Sequence, residues 1–250
     1  MTQPDLPPEE FYRRAMDSLK ASADPERAQG GKRFFKSEED INLLGIRAPE
    51  IRKTAKELFS LVKPYWTQKQ AVDLCELMLP NKYLEAKTFG ILILEQFVSS
   101  LNKKHLNVIK KWITLYYCSD WATIDTLCSS VLSPLIQDHP EFIEEIMTWA
   151  DSPNKWLRRA SIVSFIKPAR CGIHIDEVHK VAKKLFPDQD DLIQKANGWI
   201  LRESGKTDMK RLERFLLKHG ENIPRTTLRY AIERFPEKKR KDILVITRKN

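Results

Sequence analysis

Trp121 and Asp125 stand four residues apart in Cys118-Ser119-Asp120-Trp121-Ala122-Thr123-Ile124-Asp125. Two further segments carry the same mixture of aromatic and charge: Asn154-Lys155-Trp156-Leu157-Arg158-Arg159-Ala160 and Gln194-Lys195-Ala196-Asn197-Gly198-Trp199-Ile200-Leu201-Arg202-Glu203. Read as helices, each sets a ring and a charge on neighbouring faces, because residues three and four apart share a side. The three segments are expected to converge. A carboxylate between indoles, ringed by Arg and Lys, suits a cationic reaction centre held on a polyanion. A single Trp-x-x-x-Asp carries little, since most such pairs are a core Trp beside a capping or solvated Asp.

Composition agrees with a partner of that kind. The chain has 250 residues, enough for one full core or two small ones, and a net charge of +9 from 43 Lys and Arg against 34 acids. Its pI near 9.3 favours nucleic acid or an anionic surface as partner and says nothing about fold. Cys75, Cys118, Cys128 and Cys171 form no Cys-x-x-Cys pair and no Cys/His cluster, so buried free thiols in a reducing compartment are expected. The five histidines make no His-Glu-x-x-His motif, and nothing points to a metal. The N-terminus is acidic and proline-rich where a signal peptide is basic and then apolar. Apolar runs such as Phe89-Gly90-Ile91-Leu92-Ile93-Leu94 fall far short of the roughly 20 residues that span a bilayer. A cytoplasmic protein near the nucleoid, or a nuclear one where there is a nucleus, is expected, with no membrane partner.

The elements that must position these residues read as helices throughout. Hairpin signals are missing, only 8 glycines interrupt the chain, and prolines fall at helix starts or ends, as in Ala48-Pro49-Glu50, His139-Pro140-Glu141 and Ile223-Pro224-Arg225. Between them apolar residues recur at three and four. A repeat shows in Tyr83-Leu84-Glu85-Ala86, Leu157-Arg158-Arg159-Ala160, Ile193-Gln194-Lys195-Ala196 and Leu228-Arg229-Tyr230-Ala231, whose alanines lie 74, 36 and 35 residues apart. Residues 121–125 fall midway in the longest gap and supply the missing module. This spacing predicts an all-α solenoid of HEAT-like helical repeats, about six pairs in one domain, curved, with a basic concave face. Residues 1–20 and 236–250 are expected at its periphery. Lys238-Lys239-Arg240-Lys241 reads as a solvated helix face or tail.

At these motifs the chain resembles the AlkD-type DNA alkylation repair glycosylases, a family built from HEAT-like repeats. The similarity rests on Asp120-Trp121-Ala122-Thr123-Ile124-Asp125, on Trp156-Leu157-Arg158-Arg159-Ala160 and on Gln194 to Glu203, and extends to Asp24-Pro25-Glu26-Arg27-Ala28 and Leu44-Gly45-Ile46-Arg47-Ala48-Pro49-Glu50. It implies removal of N3- and N7-alkylated purines from duplex DNA by a monomer, without metal or organic cofactor, and without the deep base pocket of most glycosylases. Carried over by motif position, it puts the functional aspartate at Asp125, its aromatic partners at Trp121 and Trp199, and a phosphate-binding arginine at Arg159. In Arg33-Phe34-Phe35-Lys36 the family commonly offers a tyrosine first, and this chain has Phe34, one hydroxyl fewer beside the DNA.

The chemistry stands on its own. Alkylation at N7 of guanine or N3 of adenine makes the base cationic, so it leaves neutral and needs no general acid. The sugar develops oxocarbenium character and wants a fixed negative charge, which Asp125 can supply while orienting or deprotonating water. Trp121 and Trp199 can pack on deoxyribose and cationic base, each such contact worth about 0.5–2 kcal/mol. Lys155, Arg158, Lys195, Arg202, Arg225 and Arg229 fall on successive repeats, where they line one face or are simply solvated. Trp66, Trp112, Trp149 and Trp156 are assigned to packing. Asp125 has one bland alternative, a buried aspartate satisfied by a cap or by Arg159. Two other functions stay open: a non-catalytic relative that binds damaged or branched DNA, and a solenoid scaffold for an acidic protein segment.

Overall fold

In a computed structural model, residues 6–35 and 41–248 are described, and they form an all-α protein. Among them the sole β feature is an isolated parallel bridge between Asn42 and Tyr83. Local chemistry starts the helices where the sequence indicates. Pro8, Pro25 and Pro49 sit in the first turns of helices Pro8–Ala21, Pro25–Gly31 and Ala48–Val62, where a missing N–H costs nothing. Asp24, Thr67, Asn102, Asp120, Asn154, Asp190 and Asp208 each cap a helix by accepting a backbone N–H.

The repeat is visible in what is buried. Ala86, Ala160, Ala196 and Ala231 are at most 1% exposed, on helices Leu84–Glu95, Lys155–Val163, Asp191–Ser204 and Arg225–Ala231. Helix Trp121–Leu127 takes the intervening place. In sequence each of these five is followed by a further α-helix, and within the second unit Lys155–Val163 packs on Ile175–Lys184 and Asp191–Ser204 on Met209–His219. Upstream, helices Ala48–Val62 and Gln68–Met78 both pack on Pro8–Ala21 and on Leu84–Glu95.

The chain divides into two compact units, Met1–Leu135 and Ile136–Asn250. In the first, helix Leu84–Glu95 is buried almost all round, Phe89, Ile91, Ile93 and Leu94 fully so, and it packs against helices Gln68–Met78, Ala48–Val62 and Trp121–Leu127. Phe11 is fully buried with its ring 4.7 Å from Trp66, so the first helix belongs to the core and not to the periphery expected for residues 1–20. In the second unit helix Asp191–Ser204 is central, against Lys155–Val163, Ile175–Lys184 and Arg225–Ala231. Gly198 lets the last of these approach: a Cβ there would fall 2.4 Å from Tyr230 Cβ and 2.5 Å from Thr227 O. Side-chain ties in this unit span about one repeat: Arg158 to Asp188 (30 residues), Arg170 to Glu203 (33), Arg211 to Asp176 (35) and Arg202 to Glu233 (31).

Trp66, Trp112, Trp149 and Trp156 are 5%, 1%, 1% and 3% exposed, as packing residues should be. Three cysteines are buried, but Cys171 is exposed, because it lies in the turn before Gly172, whose φ of 77° reverses the chain. The run Lys238–Lys241 is an exposed helix face. No helix among the described residues is long and apolar enough to cross a membrane.

Candidate active site

In the first unit the site is built on helix Trp121–Leu127, seven residues long. A helix this short does not persist in water by itself, so its surroundings must hold it. Asp120 caps it from a fully buried position, accepting from Thr123 N and Thr123 Oγ1, both at 2.6 Å. The buried carboxylate faces the Lys87 ammonium, Nζ to Oδ2 3.7 Å, and Lys87 also donates to the Tyr117 carbonyl at 3.1 Å. Trp121 is the first residue of the helix and Asp125 lies one turn on, both half-buried. Past Leu127 the helix loosens into a π turn over Cys128–Leu132, where Ser133 N–H reaches back five residues to Cys128 O. Such turns often accompany functional sites.

Trp121 is held from the outside by residues far away in sequence. Its indole N–H donates to the Phe34 carbonyl at 3.2 Å, and its ring stacks on Phe35 with centroids 5.3 Å apart and planes inclined by 19°. Phe34 itself projects into solvent, 63% exposed, with the Arg33 guanidinium 4.9 Å over its ring. Trp121, Asp125 and Phe34 therefore sit in one neighbourhood, joined by Phe35, which sequence reasoning did not select. Lys36 lies outside the described residues.

In the second unit, helix Lys155–Val163 carries Arg159, 5% exposed, whose Nη1 donates to Leu192 O at 2.7 Å. Lys155 lies over the buried Trp156 ring at 4.7 Å. On helix Asp191–Ser204, Lys195 and Trp199 are half-buried one turn apart, and Lys195 pairs with Asp191 at 2.7 Å. That bond raises the Lys195 pKa, so its charge is secure. Arg225 and Arg229 line a groove of about 1120 Å³ together with Lys183, His219 and Arg248. Arg225 is tethered there to Leu244 O at 3.1 Å, and Arg229 is exposed.

Two of the expected DNA contacts reach across about one repeat to a carboxylate. Arg158 donates to Asp188 at 2.6 Å and to the Ser152 and Pro153 carbonyls at 3.0 Å. Arg202 pairs with Glu233, and its Nε lies 3.6 Å from the buried Glu203. Arg170, Lys206 and Arg234 also surround Glu203; burial pushes its carboxyl pKa up, but the hydrogen bonds from Lys206 and Arg170 hold it below the usual range. Sequence reasoning also passed over Glu85 and Lys87. The signal was present: two charges in the otherwise apolar run Leu84 to Leu94 mark a helix that buries them.

Known proteins bear on family and fold. A family model described as "DNA alkylation repair enzyme" matches residues 15–235. A solved structure described as a predicted DNA alkylation repair enzyme from Enterococcus faecalis superposes with a TM-score of 0.74 at 18% identity, covering 86% of this chain and 98% of that one. This chain shares its fold. No curated protein matches the sequence.

Proposed function

Because the chain belongs to the DNA alkylation repair enzyme family, we propose that it is a monofunctional DNA glycosylase releasing cationic N3- and N7-alkylated purines from duplex DNA. The observation that supports this best is Asp125 one helical turn from Trp121, on a helix capped by a buried aspartate and braced by Phe34 and Phe35. A fixed carboxylate beside an aromatic face is what a departing cationic base and an oxocarbenium-like sugar require.

In this reading the Asp125 carboxylate stabilises positive charge on the sugar and orients or deprotonates the incoming water. The base leaves neutral and takes no proton. Trp121 and Trp199 supply ring faces to sugar and base, and Arg159 supplies a guanidinium to a phosphate beside the lesion. Lys155, Lys195, Arg225 and Arg229 serve as backbone contacts, with Phe34 at the N-terminal side. Arg158 and Arg202 enter chiefly as clamps between repeats, since their guanidinium groups are bound to carboxylates.

The deciding experiment incubates the protein with duplex DNA carrying a single N7-methylguanine and follows free base. Release that slows at least about 10-fold with Asp125→Asn supports the proposal. Tight binding without release points to a non-catalytic relative, and neither binding nor release to a protein scaffold.

A further inference from the structure

Two buried charges occupy the first turn of helix Leu84–Glu95: Glu85, 4% exposed, and Lys87, 8% exposed. Glu85 accepts the backbone N–H groups of Leu44, Gly45 and Ile46 at 2.9, 2.8 and 3.3 Å. Gly45, at φ +81°, lies so close to the chain before helix Pro25–Gly31 that a Cβ would meet Asp24 O at 2.1 Å. Asp24 N in turn donates to Leu44 O at 2.8 Å. Glu85 thus anchors the helix that leads into Phe34 and Phe35, the outer support of Trp121. Lys87, one residue beyond Ala86, secures the inner support through Asp120 and Tyr117.

The charges decide what Lys87 is for. A capping aspartate at a surface needs no counter-ion, but the Asp120 carboxylate is completely buried, and a buried charge persists only when paired and hydrogen-bonded. Thr123 supplies the hydrogen bonds and Lys87 the opposite charge. Tyr117 follows Tyr116, whose left-handed backbone (φ 61°) is one that a tyrosine adopts only when its surroundings impose it. The Lys87 bond to the Tyr117 carbonyl fixes the end of that turn, three residues before the cap.

We infer that Lys87 is a positioning residue for the site: through Asp120 and Tyr117 it fixes the seven-residue helix that presents Trp121 and Asp125. Its importance for base release rests on the role given to Asp125 above; its importance for the position of Trp121 does not. Removing the ammonium leaves the buried Asp120 carboxylate without its counter-charge, which loosens the cap and displaces both side chains. A displacement of about 1 Å at a reacting centre costs up to about 100-fold in rate.

The test uses full-length protein labelled with 5-fluorotryptophan, the Trp121 resonance being identified by its loss in Trp121→Phe. In Lys87→Met, which keeps the apolar stem, the Trp121 resonance should move. Release of N7-methylguanine at saturating protein should fall by about 10- to 100-fold, while affinity for undamaged duplex is unchanged. Lys87→Arg should restore both readouts. An unmoved resonance and parental rate in folded Lys87→Met overturn the inference. If Lys87→Met does not fold, Lys87→Met/Asp120→Asn, with an amide cap and no buried charge, carries the measurement: a displaced Trp121 resonance supports the inference and a native one overturns it. If the parent protein releases no base, the glycosylase reading fails, and the fluorine resonance still decides the position of Trp121.

Discussion

The indole N–H of Trp121 donates to the backbone carbonyl of Phe34 at 3.2 Å, joining residues 87 positions apart. A backbone carbonyl is an acceptor that no substitution at position 34 removes. The donor can be removed, and Trp121→Phe does so while keeping a ring for Phe35 to stack on. Residues 32–35 should then exchange amide hydrogen faster and be cut more readily by trypsin at Lys32 or Arg33. Protection at the parental level in that segment would show that stacking alone holds it.

Asp125→Asn keeps the shape of the side chain and deletes its charge. If the carboxylate stabilises the sugar cation, single-turnover release of N7-methylguanine should slow by about 10- to 1,000-fold, roughly 1.4–4 kcal/mol of barrier. Binding to DNA should survive and tighten slightly, since a negative charge near the phosphates is gone. Parental rates in the folded variant would make Asp125 a structural acid.

Arg158 and Arg229 should respond in opposite ways. Arg158→Gln breaks three donor contacts, one to Asp188, so it should cost about 1–3 kcal/mol of stability and leave the salt dependence of DNA binding as it was. Arg229 is exposed, so Arg229→Gln should leave melting unchanged and reduce the log–log salt slope by about 0.9 if it neutralises one phosphate. Melting curves and salt titrations of the two variants check the assignment, and the reverse pattern would refute it.

Gly198→Ala places a methyl where helix Arg225–Ala231 already fills the space, 2.5 Å from the Thr227 carbonyl. Overpacking against backbone should cost about 1–3 kcal/mol, read as a lower Tm. An unchanged Tm would mean that the two helices slide apart freely.

His179 stacks on Phe215 with ring centroids 4.0 Å apart, and its pKa is held down at about 4, first by burial and then by Arg211 and His219, against the pull of Asp176. The unfolded value is about 6.5, so between the two the unfolded chain binds more protons. The contribution to stability is complete above about pH 6.5 and is lost as pH falls through about 4. His179→Phe retains the stack and removes the titration, so Tm should fall less steeply between pH 6.5 and 4. Identical slopes for parent and variant would exclude His179 as a source of acid sensitivity.

The helical repeat was legible because its signals are local: prolines at first turns, and a buried alanine recurring at nearly constant spacing. Trp121 and Asp125 were legible as a pair because four residues make one helical turn. The true partners of Arg158 and Arg202 were not, although Asp188 and Glu233 stand about one repeat away. Nothing in the side chain of an arginine distinguishes a tie to the next repeat from a contact with phosphate, and only the register between helices does. Phe35 escaped for a related reason: its stacking partner lies on a helix separated from it by four others in sequence.

The distribution of thiols has a practical consequence. Cys75, Cys118 and Cys128 are buried, and burial raises the pKa of the first two, while Cys171 faces solvent. Alkylating dyes react with thiolate, so at neutral pH a maleimide should modify Cys171 alone and leave the core intact. The natural sequence thereby carries one addressable handle, located in the same unit as Trp199 and Arg229. A fluorophore placed there would follow DNA engagement in the parent chain without any engineered cysteine.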